Sequence, residues 1–146
     1  MTFPKKVTIA PSDKVVYIAK NGDDTLDGST IQDAVATFAR ALAIGATLNP
    51  QPSAPVVLRV AGADEFEENL ELPNDFHLDM PLGKLLSLTN ADPVLKLNAG
   101  NIVNIRNVEQ RAVGGTAIQM NGFLTTVNAN LVLADQANSI TIHNTG

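Results

Sequence analysis

The segment Asp75-Phe76-His77-Leu78-Asp79 is the sharpest chemical constellation in the sequence. If Phe76 and Leu78 point inward from a strand, alternation puts Asp75, His77 and Asp79 together on its outer face. Two carboxylates around an imidazole could carry out acid–base chemistry or bind a metal. A metal would need a third or fourth ligand, and the only other histidine, His143, is remote in the chain. The plainer alternative, a solvated strand face with His77 paired to a neighbouring aspartate, is preferred.

Two acidic stretches invite similar questions. In Asn21-Gly-Asp23-Asp24-Thr-Leu-Asp27-Gly28 the side-chain oxygens and glycines could suit Ca²⁺. Taking Asp23 as the first position of an EF-hand loop, however, puts Ala34 where a bidentate glutamate is required. A polar turn feeding a helix N-terminus is the simpler account. The run from Asp64 to Glu71 could supply a glycosidase pair, though such a run is usually solvated surface. A β-eliminating lyase would want an Arg or Lys base, and Arg59, Lys84, Lys96, Arg106 and Arg111 are scattered. No residue is therefore assigned as catalytic or as a metal ligand, and no cofactor is expected. The absence of cysteine excludes disulfides, thiolate catalysis and cysteine-ligated metal centres.

Any such residues must be positioned by a chain of 146 residues, enough for one domain. It is 45% hydrophobic, so it can bury a core. Only 17% of residues are charged, and fourteen are asparagine. A net charge of −5 argues against a nucleic-acid partner, which needs a basic footprint. No apolar run reaches the roughly 18 residues of a membrane helix, so no membrane is expected either. Met1-Thr-Phe-Pro-Lys-Lys6 lacks the form of a signal peptide.

Residues 1–20 read as an N-terminal extended arm and first strand, and residues 21–146 as a single domain. Ser29-Thr-Ile-Gln32 matches a capping box, and Ile31, Val35, Phe38 and Leu42 form a helical stripe. One α-helix is expected over about 30–46, closed by Gly45 and the prolines at 50, 52 and 55. Beyond Pro55 the helical period disappears. Leu58-Arg-Val60, Phe76-His-Leu78, Leu95-Lys-Leu97, Ile118-Gln-Met120 and Ile140-Thr-Ile142 recur about every twenty residues. Periods of that length mean solenoids. An all-β fold is expected, a short parallel β-helix of about four or five coils. Asn and Gly suit its left-handed corners, and stacked Asn side chains could satisfy one another. An antiparallel sandwich of short strands is the alternative.

Val16-Tyr-Ile-Ala-Lys-Asn-Gly-Asp-Asp-Thr-Leu-Asp-Gly28, with the helix after it, resembles the entry segment of pectin-lyase-like right-handed parallel β-helix proteins. Val56-Val-Leu-Arg-Val-Ala-Gly62 and Glu65-Phe-Glu-Glu-Asn-Leu70 resemble that family's first rung. The resemblance covers roughly residues 15–80. It implies a right-handed coil with the helix capping its open end. Members include polysaccharide lyases and hydrolases, phage tailspikes, and short virion proteins such as capsid knobs or cement proteins. The enzymes generally have many more coils than fit here.

Residues 112–146 carry one formal charge, Asp135, so outward Gln119, Thr125 and Thr141 would present a neutral wall. That wall, with Phe123, is the candidate oligomer interface, because the last coil has an open edge to cover. The resemblance makes the oligomer a homotrimer. The leader is basic, and Lys5, Lys6 and Lys14 are candidate contacts to an acidic partner such as a major capsid protein or another virion protein. The expected role is a non-enzymatic virion structural protein, a capsid cement or decoration protein on the outer surface of a phage particle. The alternatives are a tail-associated spike or fibre adsorbing to a host glycan and, third, a polysaccharide-degrading enzyme.

Overall fold

The computed structural model describes residues 14–122 and 124–144. The chain runs β1 (Val15–Tyr17), α1 (Phe38–Thr47), β2 (Val56–Arg59), β3 (Glu65–Glu67), β4 (Leu70–Leu72) and β5 (Phe76–Ser87). It continues through β6 (Leu95–Leu97), β7 (Ile102–Gln110), β8 (Thr116–Met120), β9 (Thr126–Ala134) and β10 (Ile140–Asn144). All pairings between these strands are parallel. One sheet is ordered β1-β2-β5-β7-β9 with β3 also on β5, and the other β10-β8-β6-β4. The result is a β-solenoid of about four turns with one short helix.

Stacked rows of like side chains explain why this sequence coils. Val16, Leu58, Leu78, Val103 and Val127 lie in register along one inner face. Phe66, Leu85, Val108 and Val132 form a second inward row, and Leu70, Leu95, Ile118 and Ile142 a third. Three mostly aliphatic rows on three walls fill the interior, with Phe38, Phe66 and Phe76 in the same core. Each fully buried aliphatic side chain contributes roughly 1.5–3 kcal/mol. The long strand β5 turns between walls at an irregularity between Met80 and Lys84.

The helix begins later than the capping-box pattern implies. Val35 is taken by a parallel bridge to Ile18, donating to the Tyr17 carbonyl and accepting from Ala19. With Val35 extended, Ser29–Gln32 can only turn, and Ile31 stays exposed. Thr37 is the actual N-cap, its hydroxyl accepting from the Arg40 N–H. Phe38 and Ala41 are fully buried, and the Phe38 ring meets Phe66 edge-on at 4.9 Å. The helix packs on β1 and β2 at the start of the stack. Val16 and Ile18 belong to the same core, so the first strand is part of the solenoid.

Corners are built from left-handed residues and buried amides. Asp75, Gly100 and Leu124 have φ of 63°, 73° and 59°, each just before a long strand. Gly114 and Asn138 occupy the matching corner before β8 and β10. The asparagines satisfy backbone carbonyls of the neighbouring coil more than they satisfy one another. Asn101 donates to Pro73 and Phe76, Asn98 to Leu72, and Asn69 to Asp92. A side-chain pair of the expected kind joins Asn128 to Asn104 at 2.8 Å.

Candidate functional site

The Asp75–His77–Asp79 constellation does not converge. Asp75 is a corner residue rather than a strand residue, and Asp79 is held by Arg59 at 3.1 Å. His77 does point away from the inward row, in register with Val57. It is nevertheless 92% buried, beside a hollow of about 430 Å³ lined also by Pro52, Pro55, Ile102 and Leu124. Its Nδ1 accepts the Ile102 backbone N–H at 3.1 Å, which requires the neutral ring with its proton on Nε2. Burial lowers the His77 pKa from its ordinary value, outweighing a Phe76 backbone hydrogen bond and the Asp75 charge.

That arrangement makes stability depend on pH in a defined direction. Above about pH 6.5 the ring is neutral in both folded and unfolded chains. Below it the unfolded chain takes up a proton that the folded site resists, so stability falls as pH drops toward the folded pKa. His77→Asn keeps an acceptor for Ile102 and removes the titration. Urea midpoints between pH 7.5 and 5.5 should decline more steeply in the parent than in this variant. Parallel declines would show that His77 does not carry the effect.

The aspartates of the first acidic stretch hold turns and the helix entry. Asp24 accepts from the Ala36 and Thr37 N–H groups and the Thr37 hydroxyl, anchoring the entry to α1. The Thr37 hydroxyl bond is the main reason its pKa lies below the usual range. Asp23 and Asp27 cap the turns at Thr25 and Ser29. Among the described residues no cluster of three or more His, Asp or Glu has metal-binding geometry.

Glu65 is one end of a charge ladder across the coils: Glu65, Lys84, Glu109, Arg111, Asp135. Burial alone would raise Glu109, but hydrogen bonds and charge from Lys84 and Arg111 hold it below the usual carboxylate range. Of the basic residues that look scattered in sequence, Lys84 and Arg111 are thus paired between coils, as Arg59 is with Asp79 and Lys96 with Glu71.

Of the candidate interface residues, Gln119 and Thr141 share one wall, whereas Thr125 stands at a corner. Gln119 lies on β8 in register with Lys96 and His143, and Thr141 lies on the adjacent β10. The Thr125 hydroxyl is turned into a corner, within bonding distance of the Asn98 and Gly122 carbonyls. Lys14 is tied to the Asn49 carbonyl through its ammonium. Lys5, Lys6 and Phe123 lie outside the described residues.

Apolar side chains that sequence reasoning missed dominate the last coil. Leu124 is 82% exposed, Ile142 54%, Ile140 43% and Leu131 42%. Ile142 continues an inward row, but no further coil among the described residues covers it. Isoleucines in an alternating strand read as core from sequence, so nothing local distinguished them. No family model, curated protein or solved structure matches this chain.

Proposed function

We propose that this chain is a structural protein of a phage particle, a trimeric cement or decoration protein on the outer surface of the head. The observation that carries this reading is the surface of the last coil. Ile140 and Ile142 on β10 and Leu131 on β9 are exposed, and the only formal charge there, Asp135, is held by Arg111. Apolar surface grouped in this way marks an interaction site. Three copies about a shared axis would cover it, and a standard interface of about 1,600 Å² would hold them. The resemblance of residues 15–80 to short β-helix virion proteins supplies the setting. A small rigid prism with paired charges on its walls suits non-covalent bridging of neighbouring shell subunits.

A second reading rests on a separate feature. A trough of about 420 Å³ is lined by Asn69, Glu71, Asp92, Lys96 and Gln119. Amides and carboxylates of this kind could hydrogen-bond sugar hydroxyls, which favours a tail-associated spike or fibre adsorbing to a host glycan. Its two acids also keep open the third possibility, a polysaccharide-degrading enzyme. Gold-labelled antibody against the chain, imaged on particles of the phage that encodes it, separates these readings. Label over the head is expected. Label confined to the tail, or absent from particles, contradicts the cement assignment.

A further inference from the structure

The hollow beside His77 holds two polar groups without partners. Because Nδ1 accepts the Ile102 N–H, the ring carries its proton on Nε2. That N–H finds no acceptor among the described residues, although the side chain is more than nine-tenths buried. It is not sealed in the protein either, and so opens on the hollow that the ring lines. Asp75 lines the same hollow, and its carboxylate makes no hydrogen bond or ion pair among the described residues. Its Oδ1 lies over Gly100, 2.7 Å from where a Cβ there would sit. Glycine at position 100 thus leaves the carboxylate its place, besides taking the corner's φ of 73°.

Around this pair the walls are apolar, with Pro52 and Pro55 on the connector and Ile102 and Leu124 on the coils. Leu124 holds a left-handed φ of 59° with its side chain in solvent, and strain combined with apolar exposure points to binding. A volume of about 430 Å³ is in the range of small-ligand sites. The groups inside restrict what enters. No Lys or Arg among the described residues lines the hollow, so a carboxylate or phosphate would meet Asp75 unshielded. A metal ion would find one carboxylate and no imidazole lone pair. A carboxylate in apolar surroundings favours a hydrogen-bonding cation, and the N–H beside it calls for an oxygen acceptor.

We propose that this hollow binds the amino terminus of a peptide whose first side chain is apolar. The terminal ammonium donates to Asp75, the first carbonyl accepts from the His77 Nε2–H, and the side chain lies against Pro55, Ile102 and Leu124. A peptide terminus carries all of these features on one residue: a cation, an adjacent acceptor and an apolar body. The site is held ready for it. The Asp75 backbone donates to the Ala99 carbonyl and accepts from Val56, and the His77 ring is fixed by Ile102, so little ordering is left for binding to offset. The proposal is independent of the virion reading, since the hollow belongs to a single chain.

The test titrates the amide of leucyl-glycyl-glycine into the isotope-labelled chain at neutral pH and follows backbone amide shifts. Saturable shifts centred on Asp75, His77, Gly100 and Ile102 are expected. Two peptides that each lack one feature, the N-acetylated form and the amide of triglycine, should bind at least tenfold more weakly. Asp75→Asn, which tolerates the left-handed corner, should erase the preference for the free amine over the acetylated form. Shifts that never saturate, equal binding of the acetylated peptide, or a free-amine preference retained in Asp75→Asn each overturn the proposal. If that variant loses the native amide spectrum, the comparison of the three peptides on the parent chain decides alone.

Discussion

Replacing Phe76 with alanine is expected to lower the unfolding free energy by about 3–5 kcal/mol. The ring is 1% exposed and pairs in register with Val56, below the connector from α1. It also lies against the helix backbone: a Cβ on Gly45 would sit 2.6 Å from its Cε1. Gly45 is therefore glycine for closeness of approach, and Phe76 locks the helix to the second coil. Removing the ring leaves a void bounded by a helix and two coils, neither of which can collapse without breaking strand register. Urea denaturation should show the loss, with amide exchange rising first in residues 38–47. A loss below about 1.5 kcal/mol would mean that α1 repacks freely and is not held by this contact.

Gln110→Leu should cost a similar amount, about 3–5 kcal/mol, although it adds apolar surface to a fully buried site. The Gln110 amide nitrogen lies within bonding distance of the carbonyls of Asn90, Asp92 and Thr116, at 3.2, 2.9 and 3.2 Å. Its oxygen accepts the Ala112 N–H at 2.9 Å. One side chain thus satisfies the corner that joins two coils. Leucine fills the volume and satisfies none of these groups, and each orphaned buried group costs about 1–3 kcal/mol. Gly115 leaves the room: a Cβ there would overlap the amide. A thermal midpoint about 10 °C lower is expected. An unchanged midpoint would show that water or a shifted backbone replaces the amide.

The period of the fold was legible because every coil must present apolar residues to the same interior. The face to which each triplet belongs was not. Leu58-Arg-Val60 and Leu95-Lys-Leu97 look alike, yet they stack on different walls, so the twenty-residue spacing mixes two rows. Along single rows the steps are longer and more regular: Leu70, Leu95, Ile118 and Ile142 are separated by 25, 23 and 24 residues. The start of α1 was hidden for a different reason. Ser29 and Gln32 carry the local signal of a cap, but pairing between Val35 and Ile18 outcompetes it, and that pairing depends on β1.

The candidate site was legible only in part. Strand alternation correctly turns His77 away from the inward row but says nothing of the connector beside it, which makes an outward residue a buried one. Asp79 was visible as an outward acid, whereas its partner Arg59 is one coil away and twenty residues distant. Leu124 carried no signal at all, because a leucine at a left-handed corner is what local preferences argue against.

The most direct test of the proposed role is the solution mass of the purified chain, measured by light scattering at two concentrations. One chain is 15.4 kDa, so a trimer has a mass of about 46 kDa. A stable value near 46 kDa at both concentrations is expected, falling to the monomer value when Ile142 is replaced by aspartate. A parent chain that stays near 15.4 kDa throughout would contradict the trimer, leaving the exposed isoleucines of the last coil without a partner of their own kind.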